Sequence, residues 1–239
     1  MRKSGSSGTG RGITILHAST PTGQTAGYAG ICTDGFVKSA IIIAGYFIFW
    51  ALIHSALVSI RVKKAAEKRF GPETRRYYRL FFVLFAVVSL IPLVLLIFLL
   101  PDRPVYAVPS PWRWIMNGVQ ALIFAFMAWT VIQTEAMNFL GIEQIKSPPE
   151  KVHTELQTKG LYRIVRHPMY FTSILLLWCT PVMTLNVMTV FIGMTLYFYV
   201  GSVHEEQLLV KQFGEQYRRY RKSIPRIFPG KQLFMRNRN

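Results

Sequence analysis

Several runs in this chain are long and apolar enough to cross a bilayer, and that restricts the backbone more than any other feature. A spanning helix needs about 20 mostly apolar residues. Inside hydrocarbon every backbone polar group must find its partner within the protein. Ser39 to Ile60 reads as the first span. Leu80 to Leu100 is the second, with Pro92 as a kink. Trp112 to Ile132 is the third and opens on Trp112 and Trp114, at an interface position. About Tyr170 to Leu185 and Asn186 to Val203 are the fourth and fifth. They meet at Thr184-Leu185-Asn186, which predicts an antiparallel helical hairpin.

The chain has 239 residues and a formal charge of +17, a balance that also suits a nucleic-acid binder. The distribution of the charge argues otherwise. The loop Arg61 to Arg79 holds eight basic residues, whereas Pro101 to Pro111 holds only Arg103. Ala136 to Pro168 holds five, the turn at Asn186 none, and the tail after Val203 nine. Basic-rich and basic-poor loops alternate with the spans, as the positive-inside rule requires. Membrane topology and contact with lipid thus account for the charge, and no nucleic-acid partner is expected. The first and third loops and the C-terminus are placed in the cytoplasm and the N-terminus outside.

Met1 to about Val37 is rich in Gly, Ser and Thr. It reads as a mobile tail, or as the product of an early start codon. Cys32 and Cys179 are far apart and give neither a disulfide framework nor a metal spacing. The expected fold is an all-α integral membrane bundle of about five transmembrane helices. It has a C-terminal helical hairpin and a cytoplasmic cofactor pocket. Residues 38–239 form the membrane domain and about 154–230 its cofactor-binding half. Phe213 to Pro229 has Phe213, Tyr217, Tyr220 and Ile224 at helical spacing among basic residues. That pattern suits an amphipathic helix at the membrane surface.

Two polar clusters flank the hairpin. Leu156 to Tyr170 reads LQTKGLYRIVRHPMY, and His204-Glu205-Glu206 follows the fifth span. An antiparallel hairpin brings Arg166, His167 and Tyr170 to face Glu205 and Glu206. Ionisable groups close to membrane depth are costly unless they are paired or functional. Read singly, each has a plain structural role. Arg166 would anchor the cytoplasmic side, His167-Pro168 would start a helix, and the glutamates would pair with Lys211 or tail arginines. His54, inside the first span, is either a functional group or a histidine bonded to a neighbouring helix. Glu135 could reach the site from the end of the third span or mark the interface there.

The combination T-K-G-L-Y, R-H-P-M-Y, hairpin, H-E-E-x-L-L and G-x-x-Y-x-x-Y-x-x-x-I-P-x-x-P resembles the isoprenylcysteine carboxyl methyltransferase and phospholipid methyltransferase superfamily. The resemblance covers about Leu156 to Pro229. It implies S-adenosylmethionine as cofactor, held by Gly160, Tyr162, Arg166, His167, Pro168, Tyr170, Glu205 and Glu206. Arg166 and His54 are the catalytic candidates. A carboxylate such as Glu205 could hold the cofactor's ammonium or a ribose hydroxyl. Arg166 or His167 could meet its carboxylate, and Tyr162 and Tyr170 could offer π faces to the sulfonium or adenine.

The wider layout is similar to bacterial methanethiol S-methyltransferases, through His54-Ser55, R-R-Y-Y-R-L at Arg75 to Leu80 and W-C-T-P-x-M-T at Trp178 to Thr184. In the carboxyl-methylating members an arginine that binds substrate lies one turn before the cofactor glutamate. This chain has Gly201 there, which favours a small or neutral nucleophile. The expected activity is therefore methyl transfer to a small thiol, in a bacterial inner membrane. Methylation of a lipid amine or a prenylcysteine carboxylate, or a non-catalytic membrane protein of the same fold, are the alternatives.

Overall fold

The computed structural model describes residues 24–133 and 156–230. Glu135 lies outside them. Met1–Asp34 and Gly35–Asn239 separate as two units, and the account below is of the second. Helix α1 runs Gln24–Val58, so it begins inside the stretch read as a tail. Ser59 caps the short basic helix α2, Ile60–Phe70, by accepting from Val62 N at 3.3 Å. Helix α3 is Thr74–Leu99 and carries Pro92 inside it. Helix α4 is Trp112–Gln133. After the second described segment begins, a 3-10 turn at Gly160–Arg163 leads to α5, Pro168–Trp178. Helix α6 is Leu185–Ser223.

Among the described residues three helices are long and apolar enough to cross a membrane, Asp34–Val58, Arg76–Leu99 and Leu185–Ser223. Their surfaces are greasy: Leu52, Phe98 and Leu99 are 66%, 79% and 76% exposed. Side chains of that size left bare along whole helices call for hydrocarbon around them. The chain is an integral membrane protein.

Two details differ from the sequence expectation. The fourth span is shorter than Tyr170 to Leu185. Helix α5 has 11 residues, about 16 Å of helix against about 30 Å of hydrocarbon. It stops at Trp178 because Pro181 cannot continue the hydrogen-bond ladder. The chain then forms strand β2, Val182–Thr184, antiparallel to β1, Pro104–Ala107, with Tyr106 opposite Met183. The hairpin is therefore a helix, a strand and a helix, and among the described residues the bundle carries one two-stranded sheet. Secondly, α6 passes through the last span without stopping, and its 39 residues are about 58 Å long. Gly214 breaks its direction, at φ 54° and ψ −125°.

The core joins α1, α3 and α6 through Ile43, Phe47, Trp50, Leu93 and Val190. Gly193 lets α6 come close to α1, since a Cβ there would stand 2.8 Å from the Phe47 ring. Polar bonds tie α1 to α3: the Tyr46 hydroxyl donates to Ser89 O and Trp50 Nε1 to Ser89 Oγ, both at 2.8 Å. At the other end, Asn186 is fully buried and its N–H donates to Asp102 Oδ1 at 3.0 Å. Helix α4 packs on α5, where Gln120 Nε2 donates to Leu176 O and Thr180 Oγ1. These contacts fix α5 and α6 side by side, and that places the two polar clusters together.

Candidate active site

The approach turn starts at Gly160, whose φ of +61° suits a residue without a Cβ. It ends at Arg166 and His167, and Pro168 takes the first helical position of α5, where a missing N–H costs nothing. Both backbone N–H groups of Arg166 and His167 are satisfied from far away in sequence. Arg166 N donates to Pro225 O at 2.9 Å and Arg226 O at 3.1 Å, and His167 N donates to Arg226 O at 3.0 Å. The segment after α6 thus lies across the R-H-P turn as a strap.

Glu206 is the centre of the site. Its side chain is 2% exposed, with Arg166 Nη2 at 3.0 Å and His167 Nε2 at 3.3 Å. Arg226 grips it with two prongs, Nε to Oε1 and Nη2 to Oε2, each 3.1 Å. A buried carboxylate in this position is neutralised and held in place by its donors. Glu205 is different. It is half exposed, lies 3.4 Å from His167 Nδ1 and accepts from the Tyr170 hydroxyl. His167 therefore presents a ring nitrogen to each glutamate and keeps both in register.

His167 stacks on Tyr170, and Tyr170 on Phe198, each at 5.4 Å and 17°. The Tyr170 ring faces are engaged in that stack, so its hydroxyl edge is the part turned to the site. The Tyr162 ring is half-buried, and burial together with Glu205 pushes its hydroxyl pKa above the ordinary range. Burial pulls the Arg166 guanidinium below its usual value, and the Glu206 carboxylate acts in the opposite direction.

Part of the tail's apolar stripe is covered by the protein itself. Tyr217, Ile224 and Ile227 are buried, and the Tyr220 hydroxyl donates to Tyr162 O at 2.6 Å. Sequence reasoning missed Arg226 and the inward role of Tyr217. Arg226 is the ionisable residue within I-P-R-I-F-P, and that was the available signal. Two donors in this region have no partner among the described residues, Arg166 Nε and the Tyr217 hydroxyl.

His54 is not in this cluster. It sits in α1, with Nδ1 2.7 Å from the Tyr197 hydroxyl of α6, and its ring stacks on Trp50 at 4.8 Å. It is bonded to a neighbouring helix. Gly201 lies between the two polar groups, and a Cβ there would meet only the Tyr170 hydroxyl, at 3.7 Å.

The fold and site together define a helical membrane protein with an ion-paired centre at one end of its C-terminal hairpin. Residues 25–224 match the family described as "Protein of unknown function (DUF1295)", and the chain belongs to that family. It is similar to methanethiol S-methyltransferase of Pseudomonas deceptionensis, 39% identical over 82 residues, which cover 34% of this chain and 31% of that protein. Methanethiol S-methyltransferase 2 of Bradyrhizobium diazoefficiens is 31% identical over 163 residues, 63% of this chain and 60% of that one. Protein-S-isoprenylcysteine O-methyltransferase B of Arabidopsis thaliana is 32% identical over 123 residues, 48% and 60% respectively. The chain thus spans 31% to 60% of the length of these curated relatives. No solved structure matches it significantly.

Proposed function

We propose that this protein is a membrane methyltransferase that transfers a methyl group from S-adenosylmethionine to a small thiol such as methanethiol. The observation that carries the reading is the buried Arg166–His167–Glu206 centre, with Glu205 half exposed beside it and two donors left over. The donor set fits the cofactor. Arg166 Nε and the Tyr217 hydroxyl, without a partner among the described residues, are donors suited to its carboxylate. Glu205 has a carboxylate open to its ammonium or to a ribose hydroxyl. When bound, the sulfonium supplies an electrophilic methyl carbon.

The remaining residues position and exclude water. Glu206 and Arg226 hold the strap, His167 aligns Glu205, and the Gly160–Arg163 turn covers the approach. Displacement at an activated methyl disperses charge, so alignment and a dry site contribute more than a protein nucleophile would. Gly201 brings no side chain of its own beside the Tyr170 hydroxyl, which suits a small or neutral acceptor. The names of the bacterial relatives point to a thiol. The alternation of basic-rich and basic-poor loops supports a site and C-terminus on the cytoplasmic side of the inner membrane.

The test offers the purified full chain a methyl-labelled cofactor with methanethiol, phosphatidylethanolamine or a prenylcysteine analogue. Label is expected in the sulfide. Label only in lipid or only in a methyl ester would overturn the thiol reading. Failure of S-adenosylhomocysteine to bind at millimolar levels would point to a non-catalytic membrane protein.

A further inference from the structure

We propose that Tyr197 and His54 form a proton relay that takes the proton of a thiol lying over Gly201; this rests on the thiol reading above. The argument starts from helix phase. Residues four apart share one face of a helix, so Tyr197, Gly201 and Glu205 form one stripe of α6. Glu205 marks the cofactor end of that stripe, where the Tyr170 hydroxyl bonds to it. Tyr197 marks the other end. Between them Gly201 adds no side chain, and the Tyr170 hydroxyl is the nearest atom to its missing Cβ. A sulfur atom resting there lies one turn from Glu205 and one turn from Tyr197.

The second half of the argument is the environment of His54. The Tyr197 hydroxyl lies 2.7 Å from His54 Nδ1, a bond that spans α1 and α6. The imidazole stacks on Trp50 at 4.8 Å and lies 4.6 Å from the Phe82 ring of α3. Trp50 is itself fixed by its bond to Ser89. Of the titratable groups facing His54, α6 presents Tyr197. Helix α3 presents Tyr78, one turn before Phe82, and its hydroxyl donates to Leu57 O at 2.6 Å. A histidine inside a span is costly without a task, and packing alone asks for no titratable ring here.

The step balances. The S–H proton of the acceptor passes to Tyr197 O as the Tyr197 proton passes to His54 Nδ1. The sulfur electron pair forms the new C–S bond, and the old C–S bond leaves with its pair on the cofactor sulfur. His54 then returns one proton to water per turnover. Tyr197 is the group that touches the acceptor, and His54 acts through it.

The experiment compares wild type with H54Q, H54N and Y197F as full chains in detergent, each first shown to bind S-adenosylhomocysteine with wild-type affinity. At neutral pH the variants should turn over methanethiol about 100-fold more slowly, the scale of general base catalysis. The deficit should narrow as rising pH ionises the thiol in solution. A second readout needs no turnover. An aryl thiol, bound with S-adenosylhomocysteine and followed by thiolate absorbance, should ionise at lower pH in wild type than in H54Q. A variant within threefold of wild type, a deficit that does not change with pH, or equal ionisation in both proteins would overturn the relay. If wild type methylates no thiol at all, the parent reading fails instead, and the two failures are told apart by that control.

Discussion

Arg226 and Glu206 meet side-on, with Nε 3.1 Å from Oε1 and Nη2 3.1 Å from Oε2, although 20 positions separate them. The pairing closes a loop. The backbone of Arg226 accepts from Arg166 N and His167 N, while its guanidinium holds the glutamate that also binds Arg166 and His167. Its guanidinium also lies 5.6 Å over the Tyr199 ring. Strap, turn and α6 are therefore fastened at one carboxylate, Glu206, while the adjacent Glu205 stays half exposed.

Removing Glu206 should unfold the site. Glu206→Ala leaves Arg166 buried and Arg226 partly buried without a counter-charge. Breaking a buried pair from one side costs about 3–5 kcal/mol. A large fall in the melting temperature of the detergent-solubilised protein is expected. A melting curve that matches wild type would show that the centre is not structural.

Glu205→Ala should do the reverse. The side chain is half exposed and makes no bond that the strap depends on. Stability should stay within about 0.5 kcal/mol of wild type, the usual range for such surface positions. Affinity for S-adenosylhomocysteine should fall at least tenfold, since a hydrogen bond to a charged group contributes about 1.5–3 kcal/mol. Calorimetry on the folded variant reads this directly, and unchanged affinity would move the ammonium site elsewhere.

The contrast explains what was legible in the sequence and what was not. Apolar runs are local, so the spans at Ser39 to Ile60 and Leu80 to Leu100 could be read from length alone. The R-H-P turn was legible too, because Pro168 at a helix start is a local rule. Glu205 and Glu206 are neighbours in sequence, but successive helical residues point about 100° apart. Which one turns inward depends on how α6 is rotated against α5, and Gly193 and the Phe198–Tyr170 stack help set that rotation. The same holds for the tail. Its stripe of Tyr217 and Ile224 was visible, but an apolar stripe does not say whether lipid or protein covers it. The fourth span was overestimated because Val182 to Thr184 is apolar as a strand, and composition alone does not separate a short strand from a helix end.

Tyr220→Phe should loosen the approach turn without disturbing the centre. Its hydroxyl bond to Tyr162 O, 2.6 Å long, joins α6 to the Gly160–Arg163 turn. Losing one such bond costs about 1 kcal/mol. The Michaelis constant for S-adenosylmethionine should rise about fivefold with kcat nearly unchanged, because in the proposed site the turn covers the cofactor and is remote from His54. A loss confined to kcat would contradict that placement.

Gly214→Ala tests whether the bend in α6 builds the site. At φ 54° and ψ −125° the backbone lies where residues with a Cβ rarely go. A Cβ there would meet nothing within 4 Å, so any effect comes from the backbone and not from a clash. Forcing such a conformation costs about 1–3 kcal/mol. The chain can relieve it by straightening the helix, which would draw Tyr217 and the strap away from Arg166. Lower stability and weaker binding of S-adenosylhomocysteine should therefore appear together. Gly118→Ala is the control, since Gly118 sits within α4 with open space around it and alanine favours a helix by about 1 kcal/mol. It should leave binding intact and stability equal or higher. If Gly214→Ala behaves like Gly118→Ala, the bend is incidental and the strap is held by Glu206 alone.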